Sequence, residues 1–131
     1  MIGLDTNILL RYQVQDDPGQ SPAAAEIMER RLTEEKPGCI SLVVMAEIVW
    51  VLERSYGFSK PLIANAVERV LQTEVLAVQN ERDVFTAMLA LRSGKGSFAD
   101  AHISALATRV GCNYTLTFDL KALRLPGFKH A

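Results

Sequence analysis

The chain is 131 residues long, which fits one domain able to bury a hydrophobic core without disulfides or structural metals. Hydrophobic residues make up 49% of the sequence and charged residues 22%, proportions typical of a folded globular protein that argue against a disordered one. The net charge of −1 excludes a general attraction to nucleic acid. We expect residues 1–131 to form a single domain whose affinity for a charged partner arises locally.

The sequence contains no recognisable targeting or membrane segment. The longest apolar stretch, Ser41 to Leu52, is interrupted by Glu47 and falls short of the roughly 20 residues that span a membrane. The N-terminus lacks the basic and apolar regions of a signal peptide. A cytoplasmic location without membrane contact is therefore expected. Cys39 and Cys112 are far apart in the sequence and predict buried free thiols, not a metal site.

Short runs of β-prone residues alternate with helical patterns along the chain. The strands are predicted at residues 1–5, 39–41, 75–78 and 113–118, and the helices at residues 7–12, 23–36, 42–56, 60–72, 81–91, 97–110 and 120–123. Ser21 and Pro22 are predicted to open the second helix, and Asn80 and Asp83 to form a capping box for the fifth. This alternation predicts an α/β fold, in which a parallel sheet is covered by helices on both faces.

Four acidic residues stand where an α/β sheet would gather functional groups: Asp5, Glu47, Asp100 and Asp119. Asp5 and Asp119 each follow a predicted strand, and open α/β sheets bind ligands at the carboxyl ends of their strands. Glu47 interrupts an apolar helix, where burying an unpaired charge costs several kcal/mol, so it should reach a cation, an arginine or a water-filled cleft. Carboxylates that collect in one crevice repel each other unless they hold a cation, and oxygen ligands favour Mg²⁺ or Mn²⁺.

Three of these residues also have structural interpretations, which the sequence leaves open. Asp5 fits a cap for the turn that follows the first strand. Glu47 fits a salt bridge within the fold. Asp100 fits a capping box with Ser97, a role that is compatible with metal binding because both place it at a helix start.

Other side chains that could carry chemistry are weaker candidates. His102 lies two positions from Asp100 on a helix and so points elsewhere, and His130 lies in a tail that is expected to fray. Trp50 fits packing in the core or at an interface better than a platform for stacking bases. From Arg92 onward there are six basic residues and two acidic ones, so a metal on the two acids would leave this end positive and suited to a phosphate-rich substrate.

Four segments carry the carboxylates in order along the chain: IGLDTNILLR at residues 2–11, AEIVWVLER at 46–54, FADAHISALA at 98–107 and TFDLKALRLPG at 117–127. Together they resemble the successive motifs of PIN-domain ribonucleases, and most closely the VapC-type toxins of prokaryotic toxin–antitoxin modules. The resemblance implies a PIN-like three-layer fold, a homodimer, metal-dependent cleavage of RNA and inhibition by a cognate antitoxin. The apolar helix at residues 42–56, predicted to be buried on more than one side, and the helix after Ser59 are expected to meet the second subunit or the antitoxin.

The same resemblance assigns roles to individual residues. Asp5, Glu47, Asp100 and Asp119 would hold Mg²⁺, with Mn²⁺ as a substitute, to activate a water for attack on a phosphodiester. Residues expected to support these ligands or touch substrate are Thr6, Asn7 and Thr117, and those expected to touch phosphates are Arg11, Lys121 and Arg124. Many relatives have an acid or a cysteine where this chain has Ser97, and some have an acid in place of Lys121, so the number of metals, one or two, stays open.

Two other classes of protein share parts of this pattern. An aspartate-nucleophile phosphatase also begins with an acid after the first strand but needs a second acid where Asn7 stands. A PIN-like α/β module that binds a partner without catalysis is the other alternative. Cleavage of transfer, ribosomal or messenger RNA would need the same metal ligands, so the sequence leaves the RNA unidentified.

Overall fold

Five short strands and six α-helices alternate along the chain. The structure is a computed structural model that describes residues 1–131. The strands are β1 (Ile2–Gly3), β2 (Gly38–Ile40), β3 (Leu76–Val78), β4 (Thr115–Thr117) and β5 (Phe128–His130). The α-helices are α1 (Thr6–Val14), α2 (Gln20–Glu26), α3 (Leu42–Arg54), α4 (Lys60–Gln72), α5 (Glu81–Arg92) and α6 (Phe98–Arg109). A π-helical turn, Ile27–Arg31, continues α2, and a 3₁₀ turn, Ala122–Arg124, follows β4.

The strands form two parallel sheets. In the first, of order β1-β2-β3, Ile2 pairs with Gly38 and Gly38 pairs in turn with Leu76. In the second, β4 pairs with β5 so that Thr115 lies opposite Phe128. The predicted PIN-like α/β fold with parallel strands flanked by helices is confirmed, although the strands are divided between two sheets.

The strand β5 is a feature that the sequence pattern does not predict. His130 was expected to lie in a frayed tail, but it lies in β5, and the N–H of Ala131 donates to the carbonyl of Thr117 at 3.0 Å. This pairing joins segments that are separated by a turn and a 3₁₀ segment, and only three residues of β5 take part. A strand of this length has too few residues to show a hydrophobic period in the sequence. It is recognised only by its pairing with β4.

Serine caps fix the starts of three helices. The hydroxyl of Ser41 accepts from the N–H of Val44 at 3.2 Å at the start of α3, and Ser59 caps α4 in the same way. At the start of α6 the hydroxyl of Ser97 accepts from the N–H of Asp100 at 3.0 Å. The predicted helix starts at Ser41 and Ser97 are thereby confirmed. They could be predicted because both depend on hydrogen bonds within four residues of the chain.

The second helix begins differently from its prediction. It starts at Gln20, and the carboxylate of Asp17 accepts hydrogen bonds from the N–H groups of Gln20 at 2.8 Å and Gly19 at 2.9 Å. These bonds lower the pKa of Asp17. Ser21, the predicted cap, is buried inside the helix, and the helical segment ends at Arg31, earlier than predicted. A charged acceptor that reaches two free N–H groups is a stronger cap than a hydroxyl.

The predicted capping box at the start of α5 does not form. Asn80 has a left-handed backbone, with φ 48°, and its side chain makes no capping bond. The buried carboxylate of Asp83 is instead paired with Arg109 on α6, where Nη2 donates to Oδ1 at 3.3 Å. This charge-assisted pair satisfies the carboxylate better than the amide of Asn80 does. It also ties α5 to α6, the helix that begins near Asp100.

The Asp83–Arg109 pair predicts a loss of stability in acid. Hydrogen bonding to Arg109 lowers the pKa of Asp83 below its ordinary value of 3.8. A carboxyl whose pKa is lower in the folded state stabilises the fold above the ordinary pKa, and this stabilisation is lost as the pH falls through the folded pKa. The melting temperature of the parent should therefore exceed that of Asp83→Asn at about pH 7, and the difference should shrink as the pH falls below about 4. Thermal melts across this range check it, and a constant difference would contradict the pairing.

The third helix, α3, is buried along one face only. Met45, Ile48 and Leu52 are fully enclosed in a hydrophobic core of 22 residues, whereas Val43 and Trp50 are 76% and 59% exposed. The prediction that α3 is buried on more than one side is therefore wrong for this chain by itself. No helix has both the length and the apolar character needed to cross a membrane.

Both cysteines are free thiols, as predicted. Cys39 lies in β2 and is half-buried, whereas Cys112 is exposed. The predicted burial is wrong for Cys112, because this residue lies in the turn after Gly111, whose φ is +98°, before β4 begins.

Candidate functional site

A cavity of about 970 Å³ is bounded by α3, the start of α4, the connection between α5 and α6, and the segment after β4. The central part of α3 contributes Glu47, Trp50 and Glu53. The start of α6 contributes Asp100, and the segment after β4 contributes Asp119. The cavity therefore brings together residues from distant parts of the sequence.

Three of the four predicted carboxylates line this cavity, namely those of Glu47, Asp100 and Asp119. Asp5 is not among the lining residues. Glu47 and Asp119 are exposed to solvent and Asp100 is half-buried. The structure thus places three predicted site residues around one space and leaves Asp5 outside it.

Local hydrogen bonds hold the backbones of Asp100 and Asp119. Ser97 anchors the N–H of Asp100 as the cap of α6, and the Asp100 side chain takes part in no ion pair. The hydroxyl of Thr117 accepts from the N–H of Asp119 at 3.0 Å, and the Asp119 carboxylate accepts from the N–H of Lys121 at 2.8 Å. The Thr117 hydroxyl therefore holds Asp119 in place through the backbone N–H of Asp119.

Asp5 is the N-terminal cap of α1. Its carboxylate accepts from the N–H of Thr6 at 2.8 Å, so its structural interpretation is correct. Thr6 is buried and its hydroxyl has no hydrogen-bond partner, whereas Asn7 is exposed. The second carboxylate oxygen of Asp5 makes no hydrogen bond, so the cap leaves one oxygen available.

Glu47 has no partner within the fold. The five ion pairs of the protein involve none of the four predicted carboxylates. A structural salt bridge, the alternative interpretation of Glu47, is therefore not formed. Glu47 instead faces the cavity from an exposed position on α3.

The carboxylates fit a hard divalent cation by their chemistry. They supply only oxygen donors, and none of them forms an ion pair with a lysine or an arginine. No three acidic, histidine or cysteine side chains are close enough to form a coordination group. Glu47, Asp100 and Asp119 thus line one cavity, but they are too far apart to coordinate one cation as they stand. We expect a bound cation to draw their side chains together.

Four basic side chains line the same cavity: Lys60, Lys95, Lys121 and Arg124. All of them are exposed, and none takes part in an ion pair. Lys60 is the first residue of α4, and Lys95 lies in the connection between α5 and α6. The sequence pattern singled out Lys121 and Arg124 but not Lys60 or Lys95, because the last two reach the cavity only through the packing of the start of α4 and of the α5–α6 connection around it.

Arg11 lies away from the cavity in a network of its own. Its Nε donates to Gln20 at 2.8 Å, and its Nη1 donates to the hydroxyl of Tyr56 at 3.2 Å and to Asp16 at 3.3 Å. Arg11 also lies 3.9 Å from Asp17. These contacts join α1 to the segment before α2, to the first residue of α2 and to the turn after α3, so the predicted contact with phosphate is better supported for Lys121 and Arg124.

No histidine lines the cavity. His102 is buried against the ring of Phe98, with ring centroids 5.3 Å apart. Burial lowers the pKa of His102, which favours the neutral ring, and its Nε2 has no hydrogen-bond partner. The expectation that His102 points away from Asp100 agrees with this position.

A contact between α6 and the last turn of the chain links Asp100 to Asp119. The hydroxyl of Ser104 on α6 donates to the carbonyl of Pro126 at 2.8 Å. The next residue, Gly127, has φ +90° and accepts from the N–H of Thr115 in β4 at 2.7 Å. These two bonds therefore hold β4, the strand that precedes Asp119, against the helix that carries Asp100.

The comparison with protein families agrees with the motifs and the fold. The PIN domain family matches residues 2–127, which is nearly the whole chain and includes all four predicted carboxylates. No curated protein matches the chain closely enough to serve as a named relative. PIN domains are generally nucleases and generally use divalent metal ions, which supports a hydrolase that acts on nucleic acid. The chain belongs to the PIN domain family.

Proposed function

We propose that the protein is a metal-dependent ribonuclease that acts in the cytoplasm as the toxin of a type II toxin–antitoxin pair. The observation that carries the nuclease part is the cavity, where three of the predicted carboxylates, none of them in an ion pair, lie among four unpaired basic side chains. Carboxylates suit a divalent cation, and free lysines and arginines suit phosphates. Family membership supports the same chemistry.

Glu47, Asp100 and Asp119 would hold Mg²⁺ or Mn²⁺, with Asp5 contributing its second oxygen from the end of β1. When bound, a divalent cation activates water and neutralises the charge that develops on a phosphodiester. Lys121 and Arg124 bind phosphate oxygens beside Asp119. Thr117 keeps the backbone of Asp119 in place through the hydrogen bond at 3.0 Å.

The proposed partners are a second copy of the chain and a cognate antitoxin. Exposed apolar side chains support a protein partner on the side of α3 and α4, where Val43 and Leu62 are 76% and 51% exposed. Sedimentation should detect a dimer at tens of micromolar protein. A monomer at this concentration would contradict the proposed homodimer.

A non-catalytic binding module is the second candidate, and one observation favours it. The carboxylates do not form a closed coordination group. A phosphatase is less well supported, because Asn7 stands where that class needs an acid and Asp5 does not line the cavity.

Metal dependence separates these candidates. We expect the purified protein to cleave single-stranded RNA in Mg²⁺, to lose this activity in chelator and to regain it in Mn²⁺. Mg²⁺ at about ten times its dissociation constant should also stabilise the fold by roughly 1.4 kcal/mol, a rise in melting temperature of about 4 to 8 °C. Cleavage that persists in chelator would contradict the metal role. Neither cleavage nor a thermal shift would favour the binding module.

A further inference from the structure

Trp50, the one tryptophan of the chain, lies at the cavity and not in the core. It is 59% exposed on α3, three residues after Glu47, and residues at this spacing lie on the same side of a helix. Of the two sequence-based expectations for Trp50, packing in the core is therefore wrong, and packing at an interface stays a prediction. An exposed indole beside predicted metal ligands requires another explanation, because a large aromatic side chain contributes little to the fold when it remains in water.

The other aromatic side chains of the cavity are less available. Phe98 is buried and packs against His102. Phe58 is half-buried and its ring packs edge-on against Tyr56, with centroids 6.1 Å apart. Trp50 therefore presents the main exposed aromatic surface of the cavity.

Unpaired positive charges lie on the walls around Trp50. Lys60 is the first residue of α4, the helix that follows α3, and Lys95 lies in the connection that leads to α6. Neither lysine is in an ion pair. A stacking surface flanked by free cations is the arrangement that binds single-stranded nucleic acid, in which bases stack on aromatic rings and phosphates contact basic side chains.

We propose that Trp50 stacks on an unpaired base next to the phosphate that is cleaved, while Lys60 and Lys95 bind phosphates of the same strand. This inference rests on the proposed nuclease function and adds a subsite that selects single-stranded substrate. A base inside a duplex is covered by its neighbours and cannot reach an indole. Trp50 is a binding residue in this assignment, so its loss should raise KM more than it lowers kcat.

The fluorescence of Trp50 tests the subsite directly, because no other tryptophan contributes to the signal. The titration uses a short single-stranded oligouridylate in chelator, which prevents cleavage. We expect the strand to quench the fluorescence and the corresponding RNA duplex to leave it nearly unchanged. Equal quenching by strand and duplex, or no quenching by the strand, would overturn the proposal.

Matched variants give a second measurement that does not depend on fluorescence, using anisotropy of a labelled oligouridylate. Trp50→Leu keeps an apolar side chain but removes the ring, and should weaken binding by about 5- to 150-fold. Trp50→Phe keeps a smaller ring and should lie between Trp50→Leu and the parent. Phe85→Leu, on an exposed part of α5 outside the cavity, should bind like the parent.

The outcomes also separate this subsite from the function on which it rests. If Trp50→Leu binds the strand like the parent but no longer dimerises, Trp50 belongs to a protein interface and the subsite is wrong. If the parent cleaves RNA in Mg²⁺ and Trp50→Leu has an unchanged KM, the nuclease stands without this subsite. If the strand quenches Trp50 but is never cleaved, the subsite stands and the nuclease fails.

Discussion

Asp100→Asn and Glu47→Gln should each reduce RNA cleavage by about 100-fold or more while the protein stays folded. Each substitution replaces a charged oxygen donor by a neutral amide of nearly the same shape. A loss of about 3 kcal/mol of transition-state stabilisation corresponds to this reduction. Neither carboxylate is in an ion pair, so no structural pair is broken. Rates at saturating Mg²⁺, together with thermal melts, check both parts of the expectation.

Glu53→Gln is the matched control for Glu47→Gln. Glu53 lies on α3 and lines the same cavity, but no metal or substrate role is assigned to it. The control removes one negative charge from the cavity and should keep activity within a few-fold of the parent. If Glu53→Gln were as inactive as Glu47→Gln, the effect would come from the net charge of the cavity and not from a specific ligand.

Asp5 needs a different pair of variants because it also caps α1. Asparagine is as good a cap as aspartate, whereas alanine at such a position costs about 1 kcal/mol. Asp5→Asn should therefore remove activity without changing stability, and Asp5→Ala should lower both. Full activity in Asp5→Asn, together with a lower melting temperature in Asp5→Ala, would mean that Asp5 is only a cap.

The parts of the site that could be predicted from the sequence are those fixed by short-range bonds. The helix start at Ser97 depends on a hydroxyl three residues from Asp100, and the support of Asp119 by Thr117 depends on a hydroxyl two residues away. Such bonds form wherever the local chain adopts the same turn. Except for β5, the order of strands and helices was predictable for a similar reason, because most helices carry their own period and several begin at a serine cap.

The remaining features depend on contacts between distant segments. Arg11 was expected to contact a substrate phosphate, but it donates to the nearby Asp16 and to the hydroxyl of Tyr56, which is 45 residues away and beyond any local pattern. Asp83 was expected to cap α5 and instead pairs with Arg109 on the next helix. The exposure of Trp50 has the same origin, since it depends on which face of α3 the other helices cover. A hydrophobic pattern indicates that one face of a helix is buried, but it does not indicate how much of the helix the neighbouring helices cover.

The link between α6 and β4 should also stabilise the fold, and Gly127→Ala should lower the melting temperature by at least about 4 °C. Gly127 has φ +90°, a conformation that costs residues with a side chain about 1–2 kcal/mol. For a chain of this size each kcal/mol corresponds to roughly 3–6 °C. An added Cβ would also lie 2.3 Å from the hydroxyl of Ser104, so either this hydroxyl must rotate away or the turn must shift, and both changes disturb its hydrogen bond to Pro126.

A second substitution can divide this cost into its two parts. The Cβ of Ser104 lies 3.7 Å from the position of the added carbon, which is an ordinary contact. Ser104→Ala by itself loses the hydrogen bond to Pro126 and should cost about 1 kcal/mol. In the double variant the steric clash disappears while the backbone strain and the loss of the hydrogen bond remain, so the double variant should be more stable than the sum of the single effects predicts. Additive losses would show that Ser104 and Gly127 do not meet.

The same variants report on the candidate metal site. The contact of Ser104 with Pro126 holds β4, and with it Asp119, against the helix that begins near Asp100. If these two carboxylates bind one cation, displacing β4 should weaken that binding even though neither carboxylate has changed. The rise in melting temperature caused by Mg²⁺ should therefore be smaller in Gly127→Ala than in the parent and should partly recover in the double variant. An equal rise in all three proteins would mean that the cation binds without spanning α6 and the segment after β4.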